Sequence, residues 1–296
     1  MARQRRSAAV PWGAVLALVV VVVGIGTGWW LASQRRGPAP RPNGAAPVAR
    51  ATPPASPHPA VRPIRPRPQP SPAPRPAAGR VAIVFDDAGG SPDDVEDIIA
   101  IGRPVTVAVL PGLAHSSEVA RRASAAGLEV ILHLPLEATD PTKALGPGGI
   151  TVDMDEGQIR EATLAGLASV PGAVGISNHM GSRGTAERRV MRAVLEVARE
   201  RGLFFLDSRT TADSVVPSVA ADLGVRAAVR TIFLDNTDEE EAIRGEIRRL
   251  IAAARRRGEA IAIGHAQRKT PRVVARMVGE FDRQGITLVP VSALVR

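Results

Sequence analysis

Three observations predict a parallel α/β fold for residues 80–296. Short apolar runs alternate with amphipathic stretches of helical length, and that alternation implies a parallel sheet, open or closed into a barrel. Glycine recurs where a helix would hand over to the next strand, at Gly127, Gly202, Gly224, Gly258 and Gly285. A glycine there accepts the left-handed conformation that ends a helix. Polar residues with acid–base or ligand chemistry stand at the C-terminal ends of six of the eight strand-like runs. Parallel α/β folds place their sites at those ends.

The first run, Val81–Phe85, ends at Asp86 and Asp87, and a helical stretch follows at 92–101. Val105–Leu110 precedes a helix at 115–126. Val130–Leu134 carries His133, and Pro135 keeps the following residues out of a regular helix. Asp155 and Gln158 suit the start of a helix at 155–169. Ala173–Ile176 leads into Asn178-His179-Met180-Gly181-Ser182 and a helix at 185–201. Leu203–Leu206 ends at Asp207, before a helix at 213–223. Ala227–Leu234 reads as one strand containing Arg230 and ending at Asp235. The next helix, 238–257, closes on Arg255-Arg256-Arg257, where cations suit the helix dipole. Ala260–Ile263 ends at His265, Pro271 suits the first turn of a helix at 270–284, and Ile286–Val291 completes the pattern.

The preceding residues are of another kind. Val10–Ala32 is almost wholly apolar, long enough to span a bilayer as a helix and too long for a cleaved signal peptide. Residues 1–36 therefore read as an N-terminal membrane anchor. Residues 37–79 hold 15 prolines with Ala, Arg and Ser, and no apolar periodicity. Such a segment builds no core and reads as a disordered, semi-rigid linker. The expected location is the inner membrane, single-pass, with the C-terminal domain extracytoplasmic. The flanking arginines, three before the span and Arg35, Arg36, Arg41 and Arg50 after it, do not themselves set that orientation.

The formal charge of +9 is unevenly placed. Twelve of the 38 basic residues lie in 1–80, which has no acidic residue; the other 26 face 29 acidic ones, a net −3. The folded part thus lacks a positive footprint for phosphate backbones, and no nucleic-acid partner is expected. The absence of cysteine excludes disulfides, thiolate zinc sites and cysteine nucleophiles.

Two adjacent carboxylates at the end of a buried strand are costly unless a metal or a proton uses them. Asp86 and Asp87 can divide those tasks, one binding a divalent ion and one accepting a proton from water. His133 and His179 are candidate ligands, Glu137 a ligand or orienter, and His265 a general acid. Arg209 can clamp Asp207 or hold a substrate oxygen, and Arg230 with Asp235 repeats that theme. Sugar-stacking platforms would have to come from Phe85, Phe204, Phe205, Phe233 or Phe281, since the domain has no Tyr or Trp.

Taken in order, Ile83-Val84-Phe85-Asp86-Asp87, His133-Leu-Pro-Leu-Glu137, Asn178-His-Met-Gly-Ser182, Phe205-Leu-Asp-Ser-Arg-Thr210, Arg230-Thr-Ile-Phe-Leu-Asp-Asn236 and Ile263-Gly-His265 resemble the divergent polysaccharide deacetylase family. The resemblance covers about residues 80–296. It implies a distorted (β/α) barrel and removal of acetyl groups from an envelope polysaccharide with a divalent metal, commonly zinc. It implies Asp86 as base, Asp87 and His133 as ligands, and His265 as acid. Glu137 stands where the metal-dependent polysaccharide deacetylases have a second histidine, which His179 can replace. Asn178–Ser182 stands where they have an Arg-Pro motif. These departures give the alternative reading: a membrane-tethered glycan-binding or scaffolding module with a degenerate site.

Overall fold

The computed structural model describes residues 79–296. The expected anchor and all of the expected linker but Gly79 lie outside the described residues. Among the described residues no helix is long and apolar enough to cross a membrane.

These residues form one sheet of nine parallel strands with helices packed against it. In chain order the elements are β1 (Gly79–Ala88), α1 (Glu96–Ile99, after a 3-10 turn at Pro92–Val95), β2 (Thr106–Val109), α2 (Ser116–Ala125), β3 (Glu129–Leu136), α3 (Glu156–Ser169), β4 (Gly175–Met180), α4 (Arg188–Glu200), β5 (Phe204–Asp207), α5 (Val216–Leu223), β6 (Ala227–Val229), β7 (Ile232–Phe233), α6 (Glu240–Arg257), β8 (Glu259–His265), α7 (Thr270–Arg283) and β9 (Ile286–Leu288). The strand order is β6-β5-β4-β3-β2-β1-β8-β7, with β9 beside the start of β1. The five handover glycines all have positive φ, from 67 to 82°.

The side-chain period of two sorts the strands onto two faces. Ile83, Phe85, Leu132, Leu134 and Phe205 face the helices; Ala82, Val84, Ile131, Phe204, Leu206, Ile261 and Ile263 meet in a second cluster on the concave face. Gly175 is small because Phe204 fills the space beside it: a Cβ there would sit 2.5 Å from the Phe204 ring. Continuing the alternation places Asp86, His133, Ser177, His179, Ser208 and His265 on the concave face, at the C-terminal rim.

Two expected strands differ. Ala227–Leu234 is two strands on opposite edges of the sheet, because the backbone changes partner: Arg230 N–H bonds to Asp207 O and Thr231 N–H to Ile261 O. Two residues cannot connect neighbouring parallel strands, which need a crossover of about a dozen. β6 and β7 therefore do not pair, and the sheet is a curled, open half-barrel rather than a closed one. The last strand ends at Leu288 instead of Val291. Pro290 has no N–H to continue the ladder, and Val291 N–H bonds instead to Thr106 Oγ1 (3.0 Å).

Candidate metal centre

Asp86 and Asp87 are consecutive yet face the same centre because β1 breaks its alternation there. The register against β2 slips between Phe85 and Ala88, and Asp87 takes φ 61°. A bulge with a left-handed residue re-aims a side chain, and Asp tolerates that conformation better than most residues. Asp94 holds the turn that follows: its Oδ2 accepts the N–H groups of Gly89, Gly90 and Ser91 at 2.9–3.0 Å. Gln267 donates to the Asp87 carbonyl (3.0 Å).

His133 on β3 is buried. Its Nδ1 lies 2.8 Å from Ser177 Oγ on β4, and its Nε2 is 3.3 Å from Asp87 Oδ1 and 3.4 Å from Asp86 Oδ2. Burial pushes its pKa down to about 4, against the attraction of Asp87, so the ring is neutral at pH 7. The tautomer that donates Nδ1–H to Ser177 would leave the Nε2 lone pair free for a cation; the other tautomer would point Nε2–H at the carboxylates. His179 lies one strand over, with Nδ1 2.8 Å from Asp87 Oδ1. Burial alone would raise the Asp87 pKa, but the two histidines hold its carboxyl well below the usual carboxylate range.

Despite those short separations, Asp87 Oδ1 has no hydrogen bond of acceptable geometry, and Asp86 Oδ1 has none either. Buried carboxylate oxygens without partners carry a large desolvation cost. One ligand atom from each of Asp87, His133 and His179 lies within 4.8 Å of the others. A carboxylate and two imidazoles converging in this way suit a divalent cation of the zinc type.

Two acid–base groups adjoin this triad. Asp86 is 3 % exposed. Burial, then the Asp87 charge, raises its pKa well above the usual range, opposed by the Arg230 charge. At the paired position on the neighbouring strand β8, His265 Nε2 is 3.9 Å from Asp87 Oδ2, while its Nδ1 is 2.9 Å from Asp235 Oδ1. Asp235 Oδ2 also accepts the His265 N–H (2.7 Å) and the Thr270 hydroxyl (2.6 Å). The bond to Asp235 raises the His265 pKa above its ordinary value. A neutral histidine, a low carboxylate, a high carboxylate and a raised histidine thus meet at one rim, environments that separate acid, base and ligand roles.

Residues 83–295 match the divergent polysaccharide deacetylase family. The chain belongs to that family. It is 37% identical to the uncharacterized protein YibQ of Escherichia coli (strain K12) over 74% of this chain and 68% of that one. An uncharacterized protein of Haemophilus influenzae (strain ATCC 51907 / DSM 11121 / KW20 / Rd) is 34% identical over 66% of this chain and 69% of its own length. The crystal structure of an uncharacterized protein from Agrobacterium tumefaciens C58 has TM-score 0.70 at 26% identity, covering 75% of this chain and 91% of that one.

The remaining motif residues of this deacetylase-family domain lie outside the triad. Glu137 does not converge with the ligand atoms: its carboxylate accepts Val152 N–H (2.7 Å) and pairs with Arg183 (2.5 Å), fixing the loop after β3. Asp207 is not clamped by the Arg209 side chain; its oxygens take Arg209 N–H and the Ser214 hydroxyl, both at 2.7 Å. Arg230 does not pair with Asp235. It donates to Ser208 O (2.7 Å) and Arg209 O (3.1 Å) and lies 3.9 Å over the Phe233 ring. Of the five phenylalanines only Phe233 escapes full burial, and it stacks on His265 with the planes 2° apart. Ser177 and Thr270, which orient His133 and Asp235, carried no distinguishing signal in the sequence.

Proposed function

We propose that this domain is a metal-dependent deacetylase that hydrolyses acetyl groups on an envelope polysaccharide. Asp87, His133 and His179 would hold the divalent ion, zinc by the chemistry of the donor set. When bound, the ion supplies Lewis acidity to the acetyl carbonyl and lowers the pKa of water. Asp86 takes a proton from the attacking water, whose oxygen bonds to the acetyl carbon. His265 donates a proton through Nε2 to the leaving nitrogen or oxygen as its bond to that carbon breaks. The products are acetate and a free amine or hydroxyl. Asp235 fixes the His265 ring and favours its charged form, the form that can donate.

The observation that supports an enzyme over a glycan-binding module is that Asp86 and the Asp235–His265 dyad, register partners on neighbouring strands, both stand beside the triad. A binding module has no use for a base and an oriented acid facing one point. The apolar stretch at 10–32 and the Pro-rich linker, both outside the described residues, would tether the domain to the inner membrane while it works on glycan outside the cytoplasm.

The test is metal content and acetate release by the full-length chain on N- and O-acetylated saccharides. Stoichiometric zinc, lost in His133→Ala and His179→Ala, is expected. Turnover should fall by about 10²–10⁴-fold in Asp86→Asn and in His265→Ala. Metal binding without acetate release from any acetylated glycan would sink the enzyme reading and favour the binding module.

A further inference from the structure

Three buried side-chain oxygens lack partners among the described residues: Asp86 Oδ1, Asp87 Oδ1 and Ser208 Oγ. The first two belong to the site above. Ser208 does not, and it is 1 % exposed. It continues the concave-face alternation of Phe204 and Leu206 on β5, at the C-terminal rim. Its backbone is fully used, with N–H donated to Asn178 Oδ1 (2.9 Å) and C=O accepting Arg230 Nε. A buried hydroxyl left unpaired is costly, a cost that a ligand at the rim would remove.

Two guanidinium groups adjoin it. Arg209, the next residue, holds φ 48°, a strained conformation for a long side chain. That conformation is fixed from both sides, by its own N–H on Asp207 Oδ1 and by Arg230 Nη2 on its carbonyl. Its exposed side chain makes no hydrogen bond or ion pair among the described residues. Arg230 is half-buried and touches carbonyls and the Phe233 ring, but no carboxylate there. Burial lowers its pKa, with the Asp207 charge opposing from a distance. Two cations without contacting carboxylates, beside an unpaired hydroxyl at the rim of the site, form an incomplete anion site.

We propose that Ser208, Arg209 and Arg230 form an anion subsite, so that the substrate is an acidic saccharide bearing a carboxylate or phosphate near the acetylated sugar. The proposal rests on the glycan reading above. Arg209 supplies the fork that pairs with a planar carboxylate, Ser208 Oγ–H donates to one of its oxygens, and Arg230 supplies charge while bracing the 208–209 backbone.

The test is equilibrium binding, by calorimetry, to the full-length zinc-loaded chain. The probes are N-acetylated chitotetraose, the same chain oxidised to C6 uronates, those uronates converted to amides, and inorganic phosphate. Acetate release is measured in parallel. The uronate chain is expected to bind at least about 10-fold more tightly than its amide, a preference that shrinks with salt. Arg209→Gln and Ser208→Ala should each reduce that ratio several-fold, while Arg209→Lys restores only part of it. Competition by inorganic phosphate at low millimolar concentration would assign the subsite to phosphate-bearing chains. Equal binding of uronate and amide without phosphate competition would overturn the proposal, as would a ratio unmoved by Arg209→Gln. Acetate release without preference would sink this inference alone. Preference without acetate release would sink the deacetylase reading and leave the subsite standing.

Discussion

His133 and His265 show how two identical side chains at one rim are pushed to opposite charge states. Burial holds His133 neutral, and Ser177 Oγ, 2.8 Å from Nδ1, is the group that can keep the proton on that nitrogen. Replacing Ser177 with Ala leaves the buried ring free to take the other tautomer, and should lower zinc affinity by about 10–100-fold. Competition against a chelator of known affinity measures this; unchanged affinity would show that Ser177 does not orient the ligand. His265 is exposed enough to titrate and is held charged by Asp235. Its pKa is raised in the folded state, so its contribution to stability is complete below the unfolded value and is lost as pH rises through the folded one. Asp235→Asn should therefore move the His265 titration to lower pH, read by NMR of the imidazole protons in the metal-free protein. It should also cut turnover by about 10²-fold or more. A titration that stays put would mean the 2.9 Å contact with Asp235 does not set the charge state.

At the scale of elements, the site depends on how each strand ends. Asp94 ties the turn after β1 through three N–H groups on one oxygen, and that turn keeps Asp87 at φ 61°. Asp94→Ala strands those donors near the surface and should cost roughly 2–4 kcal/mol, with metal affinity falling alongside. Urea unfolding of the variant checks the first effect and chelator competition the second. Stability lost with metal affinity intact would separate the turn from the centre. Strand ends such as Phe85-Asp86 and Ile263-Gly264-His265 were legible because a buried parallel strand is a short apolar run and its polar successor stands out. That His179 and Asp87 meet was also readable, since the C-terminal ends of parallel strands share one rim. The partner change at Arg230-Thr231 was not, because it depends on which strand lies across the seam. Glu137 and Asp207 occupy motif positions, but loop N–H groups and hydroxyls take their oxygens, a choice made only in three dimensions. The hydroxyls of Ser177, Ser208 and Thr270 were silent for the same reason.

For the whole molecule, the ligand positions have an energetic consequence. Asp87, His133 and His179 come from β1, β3 and β4, three strands of a sheet that no β6–β7 ladder closes. A divalent ion at that point would tie β1 to the β3–β4 pair, which it otherwise meets through β2 and side-chain packing, and would relieve repulsion between unpartnered carboxylates. An ion that binds only the folded state stabilises it by about 2.7 kcal/mol at a free concentration 100 times Kd. For a domain of this size each kcal/mol moves the Tm by about 2–4 °C, so adding zinc to metal-free protein should raise Tm by on the order of 5–10 °C. A thermal scan of the full-length chain with and without zinc measures the shift, and His133→Ala and His179→Ala report its origin. Asp87→Asn adds a control of the opposite kind: it removes charge from a crowded site, so its metal-free form should lose little stability, or gain some, while losing the response to zinc. A zinc response that survives all three variants would place the ion elsewhere. No response in the parent would leave a proton on Asp86 to balance the pair, beside an Asp87 kept ionised by His133 and His179, and the rim would then be a coupled acid pair without a metal.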